Sequence, residues 1–91
     1  MMFTERIKQL REEYQIPQRV LAAALEIDTA TYCKIEKGER KVKREQVFII
    51  AQLLKADENE LINLWLAEQV YSIIKDEEHA NKVLNMVAQK L

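Results

Sequence analysis

The sequence predicts an all-α fold, a run of helices that ends in a C-terminal sixth. Apolar residues recur at intervals of three and four along most of the chain. Gly38 and Pro17 are the only residues of their types, too few breakers for sheets or loose linkers. Aspartates also stand where two of the apolar runs begin, as caps should. Ninety-one residues make one folded unit with a single core.

Helix 1 is expected from about Phe3 to Tyr14, because Phe3, Ile7, Leu10 and Tyr14 share one stripe while the opposite face is charged. Pro17 disfavours helix in the residue before it and suits the entry to a new one, so helix 2 starts near Gln18 and ends near Leu25 or Glu26. Asp28 is placed to cap helix 3, Thr29 to Lys37, and Gly38 to stop it. Helix 4, about Arg44 to Leu54, is apolar on more than one side and therefore covered on several. Asp57 to Glu60 reads D-x-x-E, a capping-box pattern opening helix 5, which runs to about Lys75 with apolar residues around much of its girth. It needs two partners. Asp76, Glu77 and Glu78 read as the acidic first turn of helix 6, with Ala80, Val83, Leu84, Val87 and Leu91 on one side.

Gln18 to Gly38 thus holds two short helices joined by a tight turn, and that arrangement points at DNA. A short helix enters the major groove only if its first turns are exposed and a partner helix holds it from behind. Leu21, Ala22, Leu25, Ile27 and Ile35 supply the holding contacts, leaving Thr29, Ala30, Cys33 and Lys34 to face outward toward bases. The charge distribution agrees. Residues 1–44 carry ten Lys or Arg against seven Asp or Glu, whereas residues 45–91 carry four against eight. Within Lys34 to Arg44 six basic residues face only Glu36 and Glu39, a footprint suited to phosphates.

Taken in order, Ile7-Leu10-Arg11, Gln18-Leu21-Ala22, Leu25 with Ile27, KIEKG at Lys34 to Gly38, and Ile50-Ala51 with Leu54 resemble the lambda-repressor-like, or Xre-type, helix-turn-helix family. That family includes bacterial and phage repressors and restriction-modification controllers. The resemblance runs from about Arg6 to Leu61 without a gap. It implies a five-helix helix-turn-helix domain extended by a C-terminal helix, with a core over residues 1–60, helix 3 as recognition helix, phosphate contacts from Gln18, Lys37, Arg40, Lys43 and Arg44, and a structural ion pair between Arg11 and Glu36. Three positions depart from its pattern. Glu26 stands where glycine is usual, which implies backbone strain or an altered turn; Val42 replaces a common proline; Ile49 replaces a polar residue, so helix 4 touches something extra.

Residues 61–91 are expected to pack on the core as a dimerisation element, with Ile49, Trp65, Leu66, Val70 and Tyr71 as interface candidates, or else helix 6 folds back over helix 5 within one chain. The function expected is sequence-specific transcription regulation by a homodimer on a roughly palindromic operator of double-stranded DNA. The alternatives are an antitoxin that binds a protein partner through its C-terminal helices and autoregulates its operon, or a restriction-modification controller. Lys34 can serve a guanine edge or a phosphate. Cys33 fills a close approach or acts as an oxidisable thiol on the DNA face; Tyr14 and Tyr32 belong to the core or its edge, and His79 to a solvated helix. No nucleophile–base arrangement, glycine-rich phosphate loop or metal-ligand cluster is apparent, so neither catalysis nor a cofactor or metal is expected. The start, MMFTERIKQL, lacks the apolar run of a signal peptide or membrane span, and a lone cysteine suits a reducing, cytoplasmic setting.

Overall fold

The computed structural model describes residues 2–91 and is all helical. Its elements are α1 (Phe3–Glu13), α2 (Gln18–Ala24), α3 (Thr29–Glu36), α4 (Arg44–Leu53), α5 (Glu58–Ile74) and α6 (Ala80–Lys90). One core joins the first five: Phe3, Ile7 and Leu10 from α1, Leu21 and Ala22 from α2, Tyr32 and Ile35 from α3, Val47, Ile50 and Ala51 from α4, and Leu61 and Ile62 from α5. α2 packs on α3, α4 on α5, and α1 lies against both α3 and α5.

The helices start on the expected caps. Asp28 accepts the Thr31 N–H at 2.6 Å, and Asp57 accepts the Asn59 N–H at 3.0 Å. The reciprocal half of the Asp57 box is replaced by a tertiary contact: Glu60 takes the Arg6 Nε at 3.1 Å and fastens α5 to α1.

Four helices stop in one way. After α3, the Gly38 N–H donates to the Ile35 carbonyl and the Glu39 N–H to Lys34, with Gly38 at φ +78°. The same two bonds close α1 through Gln15 and Ile16, α2 through Glu26 and Ile27, and α4 through Lys55 and Ala56. Gln15, Glu26 and Lys55 adopt φ of +55°, +58° and +54°, a region costly for residues bearing a Cβ. What holds them there is the next residue. Ile16, Ile27 and Ala56 each pack against the core, so the chain turns sharply to bury them. The strain expected of Glu26 is present as a left-handed backbone within an ordinary turn.

Several expectations need correction. α1 ends before Tyr14, which caps it and is 47% exposed rather than on the core stripe, because the left-handed turn at Gln15 redirects the chain. Asp76, Glu77 and Glu78 lie in the turn between α5 and α6 and are no part of a helical first turn; α6 begins at Ala80, after an uncapped His79. α6 does not pack on the core, and none of its residues is buried. The molecule measures 41 × 24 × 22 Å.

Candidate nucleic-acid interface

The eight residues of α3 divide by face. Tyr32 and Ile35 are buried, whereas Thr29, Ala30 and Lys34 are exposed and Cys33 is half-buried. α2 supplies the backing through Leu21 and Ala22. The outward face holds small side chains in its first turn and a lysine in its second. Asp28 at its head is an exposed carboxylate, held below its ordinary ionisation range chiefly by the Thr31 N–H.

Glu36 is the acid in this basic neighbourhood, and it is occupied. Arg11 Nε approaches Glu36 Oε2 at 2.7 Å and Arg11 Nη2 approaches Oε1 at 3.1 Å, a two-pronged pair with side chains 13% and 3% exposed. The third Arg11 bond, Nη1 to the Ile16 carbonyl at 3.1 Å, reaches the turn after α1. Gln18 Nε2 adds a donor to Glu36 Oε1 at 3.2 Å. Burial pushes the Glu36 carboxyl upward, but the hydrogen bonds from Arg11 and Gln18, with the Tyr32 hydroxyl close by, outweigh it and leave the group below its ordinary range. Arg11 is raised in turn, mainly by its bond to Glu36. The Tyr32 hydroxyl is buried without a well-aligned partner, although it lies near enough to Glu36 to act on its charge, and burial lifts its own ionisation.

The basic residues after α3 stay free of such ties. Lys37, Arg40, Lys41 and Lys43 are exposed on the loop that joins α3 to α4. Lys43 caps α4 through its backbone, its N–H donating to Gln46 Oε1 at 2.8 Å, so its side chain is left to solvent. Arg44 is different. Its guanidinium sits 5.5 Å from the centre of the Trp65 ring, whose Nε1 donates to the Val42 carbonyl at 3.3 Å.

The structure therefore brings Thr29, Ala30, Cys33 and Lys34 onto one face, with Lys37, Arg40 and Lys43 beside it. It binds Gln18 into the Arg11–Glu36 cluster and places Arg44 on a tryptophan. Lys41 joins the exposed basic loop and was legible only as part of the charge run. Among the interface candidates, Leu66, Val70 and Tyr71 are exposed, whereas Ile49 and Trp65 are partly buried against this chain's own core. Trp65 and Arg44 are 21 positions apart, too far for any local pattern to announce their contact.

Among the described residues no helix is long and apolar enough to cross a membrane, and no group of three or more His, Cys, Asp or Glu could hold a metal ion. Neither a curated protein nor a solved structure matches the chain. A family model described as a helix-turn-helix domain matches residues 3–64, the span that holds α1 to α4 and the inner part of α5. Paired helices, a free outward face and that match together place the chain in the helix-turn-helix domain family, within the Xre or lambda-repressor-like group.

Proposed function

We propose that the protein is a sequence-specific DNA-binding transcriptional regulator that acts as a homodimer, with α3 of each copy in successive major grooves of a roughly palindromic operator. The observation that carries this reading is the division of α3: its packing uses Tyr32 and Ile35, and its exposed side chains have no structural employment. Thr29 and Ala30 suit thymine methyls, and Lys34 suits the acceptors of a guanine edge. Lys37, Arg40 and Lys43 meet the backbone and fix the register of the helix. Gln18, already bonded to Glu36, supports the recognition helix first and a phosphate second. Catalysis has no part in the reading.

Dimerisation follows from the energetics of so sparse a reader. One good bidentate base contact discriminates by about 1 to 3 kcal/mol, so a single copy distinguishes few sites and two copies double the recognised sequence. The exposed apolar side chains of α5 and α6 are the natural surface for it.

Selection from random duplexes at moderate salt tests the function. The expected result is an enriched motif of two inverted half-sites about 10 base pairs apart, centre to centre. Enrichment of no motif overturns the reading. The exposed face of α6 also favours a second reading, an antitoxin whose C-terminal arm binds a partner protein; a stoichiometric second polypeptide on co-purification from the native operon would support it.

A further inference from the structure

Two features of the C-terminal half have no use within a single chain. The first is α6, where Val83, Leu84, Val87 and Leu91 form an apolar stripe, each between 38% and 101% exposed and none of them buried. A helix of eleven residues is marginal in water on its own. Among the exposed large apolar side chains, all but Tyr14 and Val20 lie beyond residue 65.

The second is a cleft of 270 Å³ between α5 and the loop that follows α3. Its apolar lining comes from Phe3, Ile35, Val42, Trp65 and Tyr71, and its charged lining is basic on balance, Arg40, Lys41 and Lys75 against Glu68. α6 contributes nothing to it. The volume falls below the range of about 300 to 1,000 Å³ usual for small-molecule sites. It is nearer to twice the roughly 150 Å³ that takes a single benzene, which is room for two aliphatic side chains.

We propose that α6 of each copy lies in the cleft of the other, so that the dimer on which the proposed function rests is built by exchange of arms. Leu84 and Val87, one turn apart, pack on the apolar lining. The acidic turn Asp76 to Glu78, which leads into each arm, meets Lys41 and Lys75 of the partner's cleft and leaves Arg40 to DNA. Two-fold symmetry makes every contact twice, so seating one arm seats the other. The cleft wall is the loop that carries Arg40 and ends at Lys43, and arm exchange therefore stiffens the segment that meets phosphate.

Sedimentation velocity at micromolar concentration tests this with four samples: wild type, the arm variant Leu84→Glu/Val87→Glu, the cleft variant Ser72→Trp, and a 1:1 mixture of the two variants. All substituted positions are exposed, so circular dichroism should show helicity retained. Wild type should be dimeric, and each variant alone should dissociate at least about tenfold more readily, as expected for losing buried aliphatic contacts. The mixture should recover dimer, because the heterodimer keeps one intact arm and one open cleft that match. Dissociation by the arm variant alone would mean that the arms pair outside the cleft, and it overturns the exchange. Absence of recovery in the mixture does the same. A wild-type monomer overturns both exchange and dimer, while an enriched DNA motif from that monomer would leave DNA recognition standing.

Discussion

Arg11, in the last turn of α1, holds Glu36, in the last turn of α3, with two hydrogen bonds of 2.7 and 3.1 Å. Because Glu36 also accepts from Gln18 of α2, one carboxylate sets the relative positions of three helices. Removing Arg11 strands a nearly enclosed charge. Arg11→Ala should therefore cost about 3 kcal/mol in urea denaturation, whereas Arg11→Met/Glu36→Leu, which removes both charges, should recover most of that loss. Additive losses in the double variant would show that the pair is not coupled.

Glu36 also makes acid stability predictable. Its folded carboxyl ionises below the ordinary range, so between the two values the unfolded chain binds more protons. The stabilisation is complete above about pH 5 and is lost as pH falls through the depressed folded value. Denaturation across a pH series should show Glu36→Gln losing less stability on acidification than wild type. Asp28 has the same sign and is present in both proteins, so the difference between the curves isolates Glu36. Parallel curves would contradict the assignment.

Three helix stops carry side chains in a left-handed backbone. Glu26→Gly should stabilise the fold by about 0.5 to 1 kcal/mol, the relief of strain exceeding the added chain entropy of glycine. Gln15→Gly and Lys55→Gly should act alike, and the three should add because they lie in separate turns. Thermal melts check this, and a lowered midpoint in all three would refute the strain.

The basic loop offers a clean electrostatic probe. Lys43→Ala should weaken binding to all duplexes and reduce the slope of log K against log salt by about one, with folding unchanged. Lys34→Ala should instead shift preference among sites. Arg44→Ala is a poorer probe, since it also strips the cover from Trp65 and should lower stability. A uniform loss on Lys34→Ala, with ranking intact, would assign Lys34 to phosphate.

What the sequence made legible is local. Asp28, Asp57 and Gly38 act through neighbours within a turn, so their caps and stop can be read from spacing alone. The stops at Gln15, Glu26 and Lys55 are fixed by the burial of Ile16, Ile27 and Ala56, a tertiary cause; the residues themselves give no breaking signal. Asp76 to Glu78 has the composition of a helix start but lacks anything to pack against, which is why α6 begins later. The Arg11–Glu36 contact spans 25 positions, and only the family resemblance suggested it. Position alone points Gln18 and Arg44 at phosphate, and it cannot reveal a competing partner elsewhere in the chain.

The two faces of α3 divide labour in a way that bears on how such a protein diversifies. Tyr32, Ile35 and Glu36 hold the helix in place, Cys33 is half-buried beside them, and Thr29, Ala30 and Lys34 stand free of the core. Under the proposed function these three reading side chains can be exchanged with little folding cost, up to the size the groove admits. New operators then arise by rewriting three positions on a fixed frame, and a lineage can change its target while keeping its architecture.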